Sequence, residues 1–148
     1  MENNKSMISI IMPVYNSENY VSEAVESVCK QSYADWELLI VNDGATDQTP
    51  EIIEKYAQKD SRIRVFHRKN EGVSMARNYA LNQVNGEYVT FIDSDDVYHV
   101  DLLKEMLYVF ETNKNCDIVF SGHKEFKGKL TISNKSSKKN IVVTTEDI

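Results

Sequence analysis

The stretch EYVTFIDSDDVYHVD, Glu87 to Asp101, drives a strand-forming run, Tyr88 to Ile92, straight into three carboxylates, Asp93, Asp95 and Asp96. In an extended chain, side chains two apart point to the same face. Asp93 and Asp95 are therefore expected side by side. Converging carboxylates repel and resist joint ionisation. A positive charge is expected between them, and a divalent cation is the obvious candidate.

The segments upstream repeat the strand-then-loop pattern. Met7 to Val14, MISIIMPV, is an apolar run rich in Ile and reads as a strand buried on both faces. Ser17 is of N-cap type. Tyr20, Val21, Ala24, Val25 and Val28 recur at helical spacing, predicting a helix from Glu18 to about Gln31. Trp36 to Val41 is a second strand, NDGATDQTP a turn, and Thr49-Pro50 a helix start. Ile63 to His67 is a third strand, and Ser74 caps a helix running to about Val84. After the fourth strand, Leu102, Leu103, Met106, Leu107 and Phe110 mark a helix, and Ile118 to Ser121 a fifth strand. The βαβαβαβαβ order predicts an α/β fold, a parallel sheet with helices on both faces.

The C-terminal segment differs. Lys127-Gly128 suits a hairpin turn, and NKSSKKN, Asn134 to Asn140, reads as a mobile, lysine-rich loop. The closing TTEDI looks like a helix start, so the domain is expected to continue past the chain end.

Bulk properties narrow the function. Hydrophobic residues make up 41% and charged residues 27% of the 148, a balance that suits one soluble globular domain. The net charge of −6 argues against a nucleic-acid binder held by phosphate contacts. Cys29 and Cys116 read as reduced thiols of an intracellular protein. No segment approaches the ~20 apolar residues of a membrane span, and the expected location is the cytoplasm, including the inner face of the membrane.

Ligands of open parallel sheets bind outside the carboxyl ends of the strands. This chain places PVYNSE, NDG, EGVSMARN and DSDD there. Taken singly, each has a bland reading. Asp43 is a turn residue before Gly44 or a ligand contact; Arg77 is a surface residue or a nucleotide contact; Tyr15 and Glu18 are surface residues or part of a site; Asp95 and Asp96 face a helix dipole or a metal. Together they suit a nucleoside diphosphate. Acids cannot bind it directly but can hold Mg²⁺ or Mn²⁺ that bridges to its phosphates. An acid such as Asp43 can accept from a base N–H or a ribose hydroxyl, and a planar Arg can stack on a base. The P-loop and GxGxxG patterns are absent, as is zinc-site spacing. His99 lies near the acids but reads as a surface residue.

Four segments, SIIMPVYNSENYVSEAVESVCKQSY, WELLIVNDGATDQT, RIRVFHRKNEGVSMARNYAL and GEYVTFIDSDD, give the chain a likeness. In that order it resembles family 2 glycosyltransferases of the GT-A fold, from about Ser9 to Phe120. The resemblance implies an inverting, nucleotide-sugar-dependent enzyme of polysaccharide biosynthesis. Its donor would be a UDP-sugar and its acceptor a saccharide or a lipid-linked molecule. It also implies a single GT-A domain over 1–148, cut short at its C-terminus, with a nucleotide-binding core over 7–122 and a hairpin and lysine-rich segment over 123–148.

The resemblance makes Asp93-Ser94-Asp95 the DXD motif. Asp95 would ligate Mn²⁺ or Mg²⁺, with Asp93 near the ribose and the metal's waters. Pro13 and Tyr15 would line the base pocket, Asp43 would contact the base, and Arg77 of the SxARN segment would reach the nucleotide. Glu18 would lie near the nucleoside, Ser94 sits within the motif, and Asp96 takes no assigned role. Asn42 departs from the family's usual acid. The general base is expected beyond the chain end. Two rival readings remain: a nucleotide-binding module without catalysis, and an Asp-dependent phosphoryl-transfer protein. The first strand ends without DxDxT, and HRKN follows the third strand where a receiver domain places its Asp.

Overall fold

The computed structural model describes residues 6–113, 115–123 and, as backbone, 141–144. In chain order the elements are β1 (Ile8–Val14), α1 (Val21–Cys29), β2 (Trp36–Asp43), α2 (Thr49–Ala57), β3 (Ile63–Arg68), α3 (Val73–Leu81), β4 (Tyr88–Phe91), α4 (Leu102–Thr112), β5 (Cys116–Phe120) and β6 (Ile141–Thr144). They fall into two compact units that divide between Asp101 and Leu102.

The first unit carries a sheet of order β3-β2-β1-β4, parallel at each of its pairings. Every residue of β1 and β2 is buried, which is why both read as unbroken apolar runs rather than alternating ones. Ala76 and Ala80 of α3 pack on Ile11, Leu39 and Val41. Alternation along the strands sends Ile10, Met12, Leu38 and Ile40 to the opposite face, and these are equally buried. The second helix packs with α1 and meets β2 and β3. Each fully buried aliphatic side chain contributes about 1.5–3 kcal/mol, so the central pair of strands dominates the core.

The end of the sheet away from the strand carboxyl termini is fastened by a buried acid. Glu37 accepts hydrogen bonds from Ser9 Oγ at 2.7 Å, Asn85 N at 2.6 Å, Asn85 Nδ2 at 3.0 Å and Arg64 Nη1 at 3.0 Å. Gly86 follows, its N–H donating to Ser9 Oγ at 2.8 Å. A Cβ on Gly86 would lie 2.7 Å from both Met7 O and Ser9 N. This close approach seats β4 beside β1 and so fixes where the chain after β4 emerges.

Local expectations fail where a side chain finds a distant partner. The first helix begins at Val21 without a side-chain cap. The hydroxyl of Ser17, of cap type, goes to Tyr15 O and Ser94 Oγ instead. Nor does Ser74 cap α3: Gly72, at φ 93°, takes that position. The third helix ends at Leu81, short of Val84, in a closing turn where Asn82 N and Gln83 N donate to Tyr79 O and Ala80 O.

The second unit holds α4 and a two-stranded sheet in which β5 pairs antiparallel with β6. The fifth strand therefore does not extend the parallel sheet as its place in the alternation suggests. The hairpin turn at Lys127-Gly128, the lysine-rich stretch over 134–140 and residues 145–148 lie outside the described residues. Among the described residues, no helix is long and apolar enough to cross a membrane.

Candidate nucleotide-sugar site

The strand order changes direction at β1: β2 and β3 lie to one side and β4 to the other. Such a switch opens a crevice outside the carboxyl ends of the strands. A cleft of about 650 Å³ lies there, lined by Pro13, Val14, Tyr15, Asp43, Asn70, Gly72, Val73, Arg77, Asp93, Ser94 and Asp95.

Asp43 closes β2 and is only 5% exposed. Its carboxylate accepts from Glu71 N and from Gly72 N, both at 2.9 Å. These are donors ahead of and at the start of α3, which its own turns cannot satisfy. The acid thus serves the turn into α3 rather than its own. Gly44 follows at φ 74°, where a Cβ would meet Asn70 N at 2.9 Å. The clamp sets α3 against the end of β2, and Arg77 then enters the cleft from its second turn.

Among the described residues, Arg77 places a positive charge beside the acidic cluster. Its Nη2 donates to Asp93 Oδ1 at 2.6 Å, with the side chains 35% and 52% exposed. Its Nε is buried without a hydrogen-bond partner among the described residues. Asp93 and Asp95 do not stand side by side on an extended strand. The strand ends at Phe91, and Asp96 N donates to Asp93 O at 3.0 Å, closing a turn.

Tyr98 fastens the far side of this turn. Its hydroxyl donates to Phe91 O at 2.8 Å and lies 3.1 Å from Thr90 Oγ1. Burial pushes this phenol up to about 12; the Thr90 hydroxyl opposes that, and the charges of Asp96 and Asp93 add to it. The phenol stays protonated as a donor at neutral pH.

Asp95 lines the cleft and has no hydrogen bond or ion pair among the described residues. A free carboxylate is the right chemistry for Mg²⁺ or Mn²⁺, hard cations that prefer oxygen. The described residues contain no group of three or more His, Cys, Asp or Glu able to hold an ion alone. A free carboxylate lining the cleft fits a cation that draws its remaining ligands from elsewhere.

Of the residues singled out in the sequence, Pro13, Tyr15, Asp43, Arg77, Asp93, Ser94 and Asp95 meet in this cleft. Glu18 does not line it. Its carboxylate accepts from Gln48 N at 2.9 Å, fastening the β1–α1 loop to the β2–α2 loop. His99 is exposed and also lies outside the lining. Val14, Asn70, Gly72 and Val73 also line the cleft and carry no site assignment from the sequence. Only the glycine ahead of a helix carried a signal, since a positive φ there favours glycine.

A family model described as glycosyl transferase family 2 matches residues 9–145. A Bacillus subtilis glycosyltransferase ascribed to teichuronic acid biosynthesis, TuaG, is 40% identical over 124 residues, 83% of this chain and 49% of its own length. The Staphylococcus aureus TarS 1-349 structure with UDP-GlcNAc superposes with a TM-score of 0.68 at 38% identity, covering 72% of this chain and 31% of that one; the same protein has been solved with UDP. A Pyrobaculum calidifontis mannosyltransferase solved with GDP-Man and Mn²⁺ gives a TM-score of 0.66 over 70% of this chain and 32% of its own; at 24% identity it speaks to fold alone. The chain spans less than half the length of these relatives.

Proposed function

The chain belongs to glycosyl transferase family 2, and from that premise we propose that it serves the transfer of a sugar from a UDP-sugar to a saccharide or lipid-linked acceptor, with inversion. The observation that carries this reading is the convergence of Asp43, Arg77, Asp93 and Asp95 on one cleft at the switch point of the sheet. The UDP and UDP-GlcNAc complexes of TarS support a uridine donor. The role ascribed to TuaG supports a polysaccharide product.

In this reading Pro13 and Tyr15 flank the base. Asp43 uses one lone pair on each oxygen for α3 and keeps others for a base N–H. Arg77 holds Asp93 where a ribose hydroxyl can donate to it. Asp95, with Asp93 two residues before it in the turn, would hold Mg²⁺ or Mn²⁺, which would neutralise the charge of the departing diphosphate. The acceptor oxygen bonds to the anomeric carbon as the bond to the diphosphate oxygen breaks. Attack from the face opposite the leaving group inverts that carbon. The acceptor proton passes to a base that is not assigned among the described residues.

Calorimetric titration of UDP and GDP, each with and without Mn²⁺, tests the donor. UDP binding strengthened by Mn²⁺, and tighter than GDP binding, is the expected result. Equal or tighter GDP binding would reject the uridine donor, and absence of all binding by folded protein would reject the site.

A further inference from the structure

We propose that Ser17 is a positioning residue of this site, holding the Asp93–Asp95 turn and setting the polarity that Ser94 presents to the cleft; this rests on the function proposed above. Ser17 lies between β1 and α1 and is 7% exposed. All of its polar groups are engaged. The N–H donates to Thr49 Oγ1 at 2.8 Å. The carbonyl accepts from Tyr20 N and Val21 N, both at 2.9 Å. The hydroxyl donates to Tyr15 O at 3.1 Å and lies 2.7 Å from Ser94 Oγ. One residue thereby joins the β1 loop, the start of α2 and the acidic turn.

The direction of the protons follows from the partners. A carbonyl only accepts, so the single hydroxyl hydrogen of Ser17 is committed to Tyr15 O. The hydrogen between the two serines must then come from Ser94. With that hydrogen turned toward Ser17, Ser94 offers the cleft only oxygen lone pairs. Its oxygen suits a cation or a donating hydroxyl and opposes a bare phosphate oxygen. The middle residue of the turn therefore has the same preference as the acids on either side. Asp95 has no partner of its own among the described residues, so its place depends on how the turn is held. Arg77 holds the turn at Asp93, and Ser17 holds it at Ser94.

The test is titration of UDP, with and without Mn²⁺, into the wild-type chain, Ser17→Ala, Ser94→Ala and the double variant, alongside thermal melts. Ser17→Ala is expected to lose about fivefold in affinity with Mn²⁺, the value of one hydrogen bond, and to keep its metal-free affinity. The double variant is expected to be no weaker than Ser94→Ala, because both changes break the same link. Ser17→Thr, which keeps the hydroxyl, is expected to recover the Mn²⁺ response. Additive losses, or a lower melting temperature with the Mn²⁺ response intact, would overturn the assignment. If Ser17→Ala does not fold, Ser17→Gly takes its place in the same comparison: loss of the Mn²⁺ response supports the link, and an unchanged response overturns it. Wild-type protein that binds no UDP removes the donor reading and this role together; wild-type binding with an unaffected Ser17→Ala removes this role only.

Discussion

Replacing Asp43 by Asn tests whether this acid builds the cleft. The buried carboxylate accepts two backbone N–H groups, each at 2.9 Å. Hydrogen bonds to a charged group are worth about 1.5–3 kcal/mol each. Asn keeps one acceptor oxygen and turns an NH₂ group toward the other N–H, so one bond is lost and two donors are opposed. The expected loss is about 2–3 kcal/mol. At about 2–4 °C per kcal/mol for a chain of this size, the melting temperature should fall by roughly 4–12 °C. Arg77, carried by the helix that Asp43 clamps, should lose its place, so UDP affinity should fall as well. Thermal denaturation followed by circular dichroism, with calorimetric titration of UDP, measures both. A melting temperature within about 1 °C of wild type would refute the clamp, since the two N–H groups would then have found other partners at no cost.

Glu37 makes stability sensitive to acid. Burial acts to raise its carboxyl, but the hydrogen bonds from Ser9, Asn85 and Arg64 outweigh that and hold it below the usual carboxylate range. A depressed carboxyl stabilises the fold above its unfolded value, and that contribution is lost as pH falls through the folded value. Glu37→Gln should thus melt well below wild type at pH 7, and the gap should narrow below about pH 4; a gap independent of pH would contradict this. Gly86→Ala should cost about 1–3 kcal/mol or more through overpacking, because the new Cβ meets backbone atoms at 2.7 Å; urea denaturation with an unshifted midpoint would count against the close approach. Arg77→Ala should change stability by less than about 1 kcal/mol, because its pair with Asp93 is partly exposed, while weakening UDP binding. Loss of stability without loss of binding would give Arg77 a structural task only.

The parts of the fold legible in the sequence are those set by short-range pattern. The strands β1 and β2 announce themselves because both faces are buried and the chain writes them as apolar runs. The acids after β4 and the SxARN segment were legible as strand-end groups, and the sheet brings them into one cleft. Pairings between distant backbone and side chain were not legible. Glu18 was expected near the nucleoside, yet it binds a backbone N–H, that of Gln48, which no sequence pattern marks. Ser17 and Ser74 are of cap type, but capping is decided by which donor lies within reach. In α3 that need is met from β2 by Asp43. The pairing of β5 was hidden for a similar reason. Its partner, Ile141–Thr144, is a run of four β-branched residues far along the chain.

The reading of this chain as the donor-binding part of a glycosyltransferase turns on Asp95, exposed and without a partner of its own among the described residues. An exposed, unpaired residue contributes little to the fold, within about 0.5 kcal/mol. The decisive measurement is the affinity for UDP of wild-type and Asp95→Ala protein, each with and without Mn²⁺, at matched melting temperature. A wild-type gain with Mn²⁺ that vanishes in Asp95→Ala, with metal-free binding unchanged, is the expected outcome. An equal Mn²⁺ response in both proteins would contradict the metal role of the Asp-Ser-Asp turn.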